Sequence, residues 1–141
     1  MIGLLLKMNT LNAIIECSEN NFAAYIEGLD GIVATGSNIQ EIKKNLSDAI
    51  AVFIEACKEV DCELPDVLRE EYKIEYRMDV KTLLNLLQQV FTKAGLERLT
   101  GINQKQLWHY AKGTSAPRKA QIMKIENAIH QLGNALISIN L

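Results

Sequence analysis

Apolar and polar positions alternate at the start of the chain. Over residues 11–17 every second side chain is apolar, which is the period of a strand with one buried face. Residues 18–21 and 28–31 have the composition of turns, so residues 22–27 and 32–35 are predicted to form two further strands. The pattern therefore predicts a three-stranded meander.

The period then changes to three and four residues, which is typical of an amphipathic helix of about six turns. Its predicted apolar face contains Ile39, Ile42, Leu46, Ala49, Ile50, Phe53, Cys57 and Val60. Asn38 with Glu41, or Ser37 with Gln40, has the spacing of a capping box. After a linker near residues 61–71, residues 72–78 alternate again as a fourth strand. Residues 1–78 are thus predicted to form a small α+β domain.

Residues 79–141 have only helical patterns, so an all-α domain is predicted. Asp79 is placed to cap a first helix, whose apolar face contains Val80, Leu83, Leu84, Leu87, Val90 and Phe91. Residues 96–100 and 103–112 form shorter elements that end at glycines. A last helix begins near Pro117, and its predicted buried stripe is Ile122, Ile125, Ile129, Leu132 and Leu136.

The residues around Gly101 have the spacing of a helix-turn-helix. A short apolar helix ends in glycine, an apolar Ile102 follows, and Asn103 caps a polar helix in which Leu107 and Tyr110 face inward. Gln104, Lys105 and His109 then point outward, where they would meet base edges in a major groove. The predicted DNA contacts are Asn103, Gln104, Lys105, His109, Lys112, Thr114 and Arg118, with Lys119 near the phosphates. A solvated surface is the alternative for these side chains, and a subunit contact for Trp108.

Charge divides the chain at the same boundary. Residues 1–78 contain 7 Lys and Arg against 14 Asp and Glu, a net charge of −7. Residues 79–141 contain 8 against 3, a net charge of +5. Two modules with different partners are therefore predicted, and the basic one suits nucleic acid.

No catalytic constellation is recognisable, so the protein is predicted not to be an enzyme and to need no cofactor or metal. Histidine first occurs at residue 109, and the chain has no glycine-rich phosphate loop. Glu16, Glu27 and Asp48 are the carboxylates that a metal-dependent nuclease would have to bring together. The three cysteines, Cys17, Cys57 and Cys62, are an odd number without zinc spacing, which argues against a disulfide framework.

The N-terminal residues predict neither export nor membrane insertion. The apolar run at residues 2–6 is too short for a membrane helix, and Lys7 follows it rather than preceding it. Residues 1–7 are an extension if translation starts at Met8. A cytoplasmic protein is expected.

Taken together, the two halves resemble the HicB family of antitoxins. The residues that carry the resemblance are 12–16 (Asn-Ala-Ile-Ile-Glu), 22–31 (Phe-Ala-Ala-Tyr-Ile-Glu-Gly-Leu-Asp-Gly), 35–37, 39–46, 99–107 (Leu-Thr-Gly-Ile-Asn-Gln-Lys-Gln-Leu) and 113–117. The chain departs from the family at Asp30-Gly31-Ile32, where Pro-Gly-Cys is frequent. It also has Glu97 where helix-turn-helix sequences usually have a small residue.

The resemblance implies a degenerate RNase H-like N-terminal domain without nuclease activity, followed by a Cro/repressor-type helix-turn-helix. Such a protein binds and occludes a small HicA-like toxin that cleaves messenger RNA, and as a dimer it represses its own operon. The candidate toxin contacts are Glu16, Tyr25, Glu27 and Asp30. A stand-alone transcriptional regulator with a ligand-sensing or oligomerising N-terminal domain is the alternative.

The oligomer and its seam stay open at this point. The last helix and the alternating tail Ile137, Ile139 and Leu141 suit a dimer seam, and the same tail suits an added strand beside residues 72–78. Pairing of dimers into tetramers is equally open.

Overall fold

A computed structural model describes residues 8–18 and 21–141 of the chain. The chain divides into two compact units, residues 1–78 and 79–141, which are described separately below. The extension considered for residues 1–7 lies outside the described residues. No helix among the described residues has both the length and the apolar character that crossing a membrane requires.

The first unit is built on a four-stranded mixed sheet. Its strands are β1 (Asn9–Ser18), β2 (Asn21–Ile26), β3 (Leu29–Gly36) and β4 (Tyr72–Met78). Their order is β3-β2-β1-β4, with β1, β2 and β3 antiparallel and β4 parallel to β1. The predicted meander and the fourth strand are confirmed.

The third strand begins earlier than predicted. Its first residue Leu29 pairs with Ile26, and the register shifts before Val33 pairs with Tyr25. Gly31, at φ +89°, lies in this irregular segment, where a β-bulge favours glycine because the backbone adopts a left-handed conformation. The residues 28–31 that predicted a turn are therefore partly a turn and partly a bulged strand.

A single long helix, α1 (Ile39–Glu59), packs against β2 and β3. The core between helix and sheet consists of Leu11, Ala13, Ile15, Phe22, Ala24, Ile26, Ile32, Ala34, Ile42, Leu46 and Ile50. Asn38 caps the helix by accepting a hydrogen bond from the Glu41 amide at 2.9 Å. The Glu41 carboxylate in turn accepts 2.8 Å hydrogen bonds from the Ser37 amide and hydroxyl, which hold its pKa below the ordinary value. The cap at Asn38 is thus confirmed.

Two details at the end of α1 differ from the predictions. Val60 is 74% exposed rather than buried, because the helix ends before it. Cys57 and Cys62 form a disulfide, so the expectation of unpaired cysteines is wrong for these two. The reason is local, since Asp61 at φ +56° reverses the chain and brings their α-carbons within 5.0 Å. Cys17 is exposed and takes no part in this bond.

The second unit contains four helices, α2 (Val80–Leu87), α3 (Lys93–Thr100), α4 (Gln104–Lys112) and α5 (Lys119–Ile137). Their shared core is Leu84, Leu96, Ile102, Leu107, Tyr110, Ala111 and Ile125. Asp79 caps α2 through the Thr82 amide, as predicted. Val90 is 78% exposed, contrary to the prediction, because α2 ends at Leu87.

The buried stripe predicted for α5 is mostly wrong. Of its five residues only Ile125 is buried, Ile129 packs against the core, and Leu136 is 57% exposed. The core of the unit reaches α5 at Ile125 and Ile129, and the last residues of the helix lie beyond it. Ile137 belongs to the helix, which contradicts a strand beginning there.

Candidate nucleic-acid interface

The connection between α3 and α4 is fixed by a glycine and a buried hydroxyl. Gly101 adopts φ +72°, the left-handed conformation that ends α3 and turns the chain. Buried Thr100 donates a 2.8 Å hydrogen bond to the Leu96 carbonyl and accepts one of 3.2 Å from the Ile102 amide. Ile102 is itself 4% exposed and anchors the turn in the core. These interactions within the turn fix the path of the chain between α3 and α4.

Replacing Thr100 with valine is expected to lower the free energy of unfolding by about 1–3 kcal/mol. Valine keeps the shape but leaves the buried Ile102 amide without its acceptor, and an unsatisfied buried donor costs about that much. Urea unfolding followed by circular dichroism measures the change. Thr100→Ser, which keeps the hydroxyl, is the matched control, and a valine variant as stable as the serine variant would contradict this role.

Helix α4 is held by its two ends and one face. Asn103 accepts a 2.8 Å hydrogen bond from the Lys105 amide, so its side-chain oxygen is used as a cap. At the other end, Asn85 of α2 donates a 3.0 Å hydrogen bond to the Ala111 carbonyl. Leu107 and Tyr110 are buried, as predicted. The opposite face of α4 is consequently directed to solvent.

That solvent face of α4, with Lys93 from α3, is named the recognition face. Its members are Lys93, Gln104, Lys105, Trp108, His109 and Lys112. The Gln104 side chain is oriented by a residue of another helix, because its amide nitrogen donates a 2.8 Å hydrogen bond to the carboxylate of Glu97 in α3. Thus Glu97, at the position usually occupied by a small residue, is half-buried and contacts a predicted DNA-binding side chain.

The loop after α4 continues this surface. The Thr114 hydroxyl lies 3.0 Å from Nδ1 of His109, and the Thr114 amide donates to the His109 carbonyl at 3.1 Å. Lys112 extends over the Trp108 ring, with its Nζ 5.7 Å from the ring centroid. Arg118 is exposed at the residue before α5. Most of the predicted DNA contacts therefore lie on α4 or directly next to it, whereas Arg118 lies at the end of the loop that follows α4.

Two members of the recognition face, Lys93 and Trp108, are absent from the DNA contacts that the sequence predicts. Lys93 was missed because α3 begins three residues earlier than predicted, where Thr92 caps it through the Gly95 amide. Trp108 carries a signal in the sequence, since it lies four residues after Gln104 and therefore on the same side of the helix.

In the first unit, α1 covers one face of the sheet, and the described side chains of the opposite face, here called the open face, are half-buried or exposed. Ile14, Tyr25 and Val33 are cross-strand neighbours on the open face. Tyr25 is 39% exposed and Val33 62% exposed. The Tyr25 hydroxyl lies 3.5 Å from a Glu16 oxygen, and partial desolvation followed by the Glu16 charge raises the Tyr25 pKa. Two of the candidate toxin contacts, Glu16 and Tyr25, therefore lie together, and Tyr25 belongs to the apolar row.

The other two candidate contacts lie at the end of the same sheet. Glu27 follows β2, with its amide bonded to the Asn12 carbonyl, and Asp30 lies in the bulged start of β3. Both are exposed. Within residues 8–18 and 21–141, no three His, Cys, Asp or Glu side chains are grouped to hold a metal ion. Glu16, Glu27 and Asp48 thus do not form the cluster that a metal-dependent nuclease needs.

Comparison with known proteins found no match to a family model, a curated protein or a solved structure.

Proposed function

We propose that the protein is a DNA-binding antitoxin, which occludes a small HicA-like messenger-RNA-cleaving toxin and represses its own operon. The observation that carries the proposal is the recognition face, a rigidly held helix surface of hydrogen-bond donors beside a left-handed glycine turn. In this proposal α3 and α4 act as a helix-turn-helix, and α4 enters the major groove. The antitoxin role rests in addition on the resemblance of both halves of the chain to HicB antitoxins.

Charge supports the division of labour between the units. The recognition face belongs to the part of the chain with net charge +5, and a positive domain is attracted to the phosphate backbone. The first unit, with net charge −7, suits a basic RNA-cleaving partner. Its open sheet face offers an apolar row of Ile14, Tyr25 and Val33 with Glu16 alongside, which is the composition of a protein interface with a charged rim.

A second copy of the chain is part of the proposal. A single helix-turn-helix makes few base contacts, and two-fold dimers reading half-sites about one turn apart are the usual solution. Apolar side chains near the C-terminus supply a seam, since Leu136, Ile137 and Ile139 are between 57% and 82% exposed. Burying them between two copies would remove this surface from water.

The experiment has one arm for each partner. The full chain is first incubated with fragments of its own genome, and the enriched DNA is expected to contain its own promoter. The small protein encoded beside it is then expressed alone and together with the chain. Growth arrest that the chain reverses supports the antitoxin role, whereas DNA binding without any neutralised neighbour leaves the stand-alone regulator.

Charge reversal on the open sheet face is expected to weaken toxin binding. Glu16→Lys with Glu27→Lys should reduce affinity for the neutralised toxin about tenfold or more at low salt, because the charges of the interface no longer complement each other. Isothermal titration calorimetry measures the affinity, and promoter binding should be unchanged.

Glu55→Lys with Glu59→Lys is the matched control for this prediction. It changes the net charge equally but alters the solvent side of α1, where Val52 is 68% exposed. If the control pair lowers toxin affinity more than the sheet pair, the toxin binds α1 and the open sheet face is the wrong surface.

A further inference from the structure

Trp108 occupies the middle of the recognition face. Successive residues of an α-helix are rotated by about 100° around its axis. Viewed along α4, the side chains of Trp108 and Lys112 therefore project between those of Gln104 and His109. The indole is 40% exposed although large aromatic side chains are usually covered. A bulky apolar group therefore stands where the proposed function places the floor of the major groove.

The side chains around the ring hold it in place and leave part of it exposed. The His109 ring lies 5.1 Å away between centroids, with the two planes inclined at 78°, and the Lys112 Nζ lies over the indole ring, 5.7 Å from its centroid. Lys93 and Gln104 line the same shallow depression. Apart from its own Nε1–H donor, the indole is thus an apolar island among side chains that donate hydrogen bonds.

The chemistry of the major groove offers one apolar partner for such an island. Base edges there present hydrogen-bond donors and acceptors, and the 5-methyl group of thymine is the only apolar group among them. We propose, on the basis of the proposed DNA-binding function, that Trp108 is a specificity-determining residue that contacts a thymine methyl group. The surrounding donors then contact neighbouring bases and phosphates.

The hydrogen bond from Gln104 to Glu97 indicates which base lies nearby. With one amide hydrogen held by Glu97 at 2.8 Å, Gln104 retains its carbonyl oxygen and its second amide hydrogen. Those are the two groups that pair with N6 and N7 of adenine. Residues four apart on a helix have β-carbons about 5–6 Å apart. This distance is shorter than the rise of two successive base-pair steps, each of which is about 3.4 Å. The thymine that Trp108 contacts is therefore expected in a base pair at most two steps from the A·T pair whose adenine Gln104 contacts.

The test replaces thymine by deoxyuridine, which removes the methyl group and nothing else. Duplexes that bind the full chain are selected from a random-sequence pool, and each thymine of the selected site is then replaced singly. Binding is measured by fluorescence anisotropy of labelled DNA. At one thymine per half-site the wild-type chain should lose about fourfold in affinity, as expected for one buried methyl group. Trp108→Ala should bind the two duplexes equally, and Trp108→Phe should keep part of the difference.

The outcomes separate this inference from the proposed function. Enrichment of no sequence would contradict DNA recognition itself. A selected site that tolerates uracil at every thymine, or a Trp108→Ala chain that still loses affinity with uracil, would overturn the role of Trp108 and leave DNA recognition standing. Because Trp108 is the single tryptophan of the chain, a change of its fluorescence on binding gives a second readout, and circular dichroism shows whether the alanine variant is folded.

Discussion

Leu84→Ala is expected to lower the free energy of unfolding of the second unit by about 2–5 kcal/mol, as other leucine-to-alanine changes in cores do. Leu84 is 0% exposed and packs in the one core that α2, α3, α4 and α5 share. A unit of this size is stable by only about 3–9 kcal/mol. The change would therefore remove a large part of its stability and with it the fixed orientation of α4.

Fluorescence of Trp108 during urea unfolding measures this effect, because it reports on the second unit alone. Val90→Ala is the control, since Val90 is 78% exposed and substitutions at such positions change stability by at most about 0.5 kcal/mol. Equal midpoints for the two variants would show that Leu84 is not part of the core of this unit.

Replacing Gln104 and Lys105 together with alanine is expected to reduce affinity for the selected DNA site at least about 30-fold. Each good side-chain contact to a base edge contributes about 1–3 kcal/mol of discrimination, and two such contacts multiply their effects. Both side chains are exposed at the start of α4, so the folded state loses little. Toxin binding should be unchanged, and loss of both activities would argue against separate roles for the units.

Lys124→Ala with Gln131→Ala is the matched control for the recognition face. It removes the same two residue types and the same charge from exposed positions of α5. Titrations with the selected site and with an unrelated duplex should show that the α4 pair reduces the preference between them, whereas the α5 pair preserves it. If both pairs act equally, α4 contributes charge but no sequence recognition.

Local patterns predicted the elements well because their causes are local. Alternation over residues 11–17 identified β1, the capping box at Asn38 gave the start of α1 correctly, and the glycines at 101 and 113 end α3 and α4 in left-handed conformations. In each case the signal lies within a few residues of the structure that it determines. Most DNA-binding candidates were found in the same way, since burial of Leu107 and Tyr110 leaves the other side of α4 exposed.

Errors arose where a residue's surroundings depend on distant parts of the chain. Leu136 continues the apolar spacing of α5 but is 57% exposed, because the core of the second unit reaches only as far as Ile125 and Ile129. The disulfide is a different case, because its cause is local: the odd number of cysteines gave no indication that a reversal at Asp61 would bring Cys57 and Cys62 together.

The sequence by itself determined the order of strands and helices, the change from an acidic to a basic half, and the polar character of α4. Only the tertiary structure decided that β4 joins the sheet parallel to β1, that Glu97 orients Gln104, and that Ile14, Tyr25 and Val33 form one row across the sheet. The physical reason is that periodicity and capping act over a few residues, whereas sheet register and side-chain contacts join residues that lie far apart in the chain.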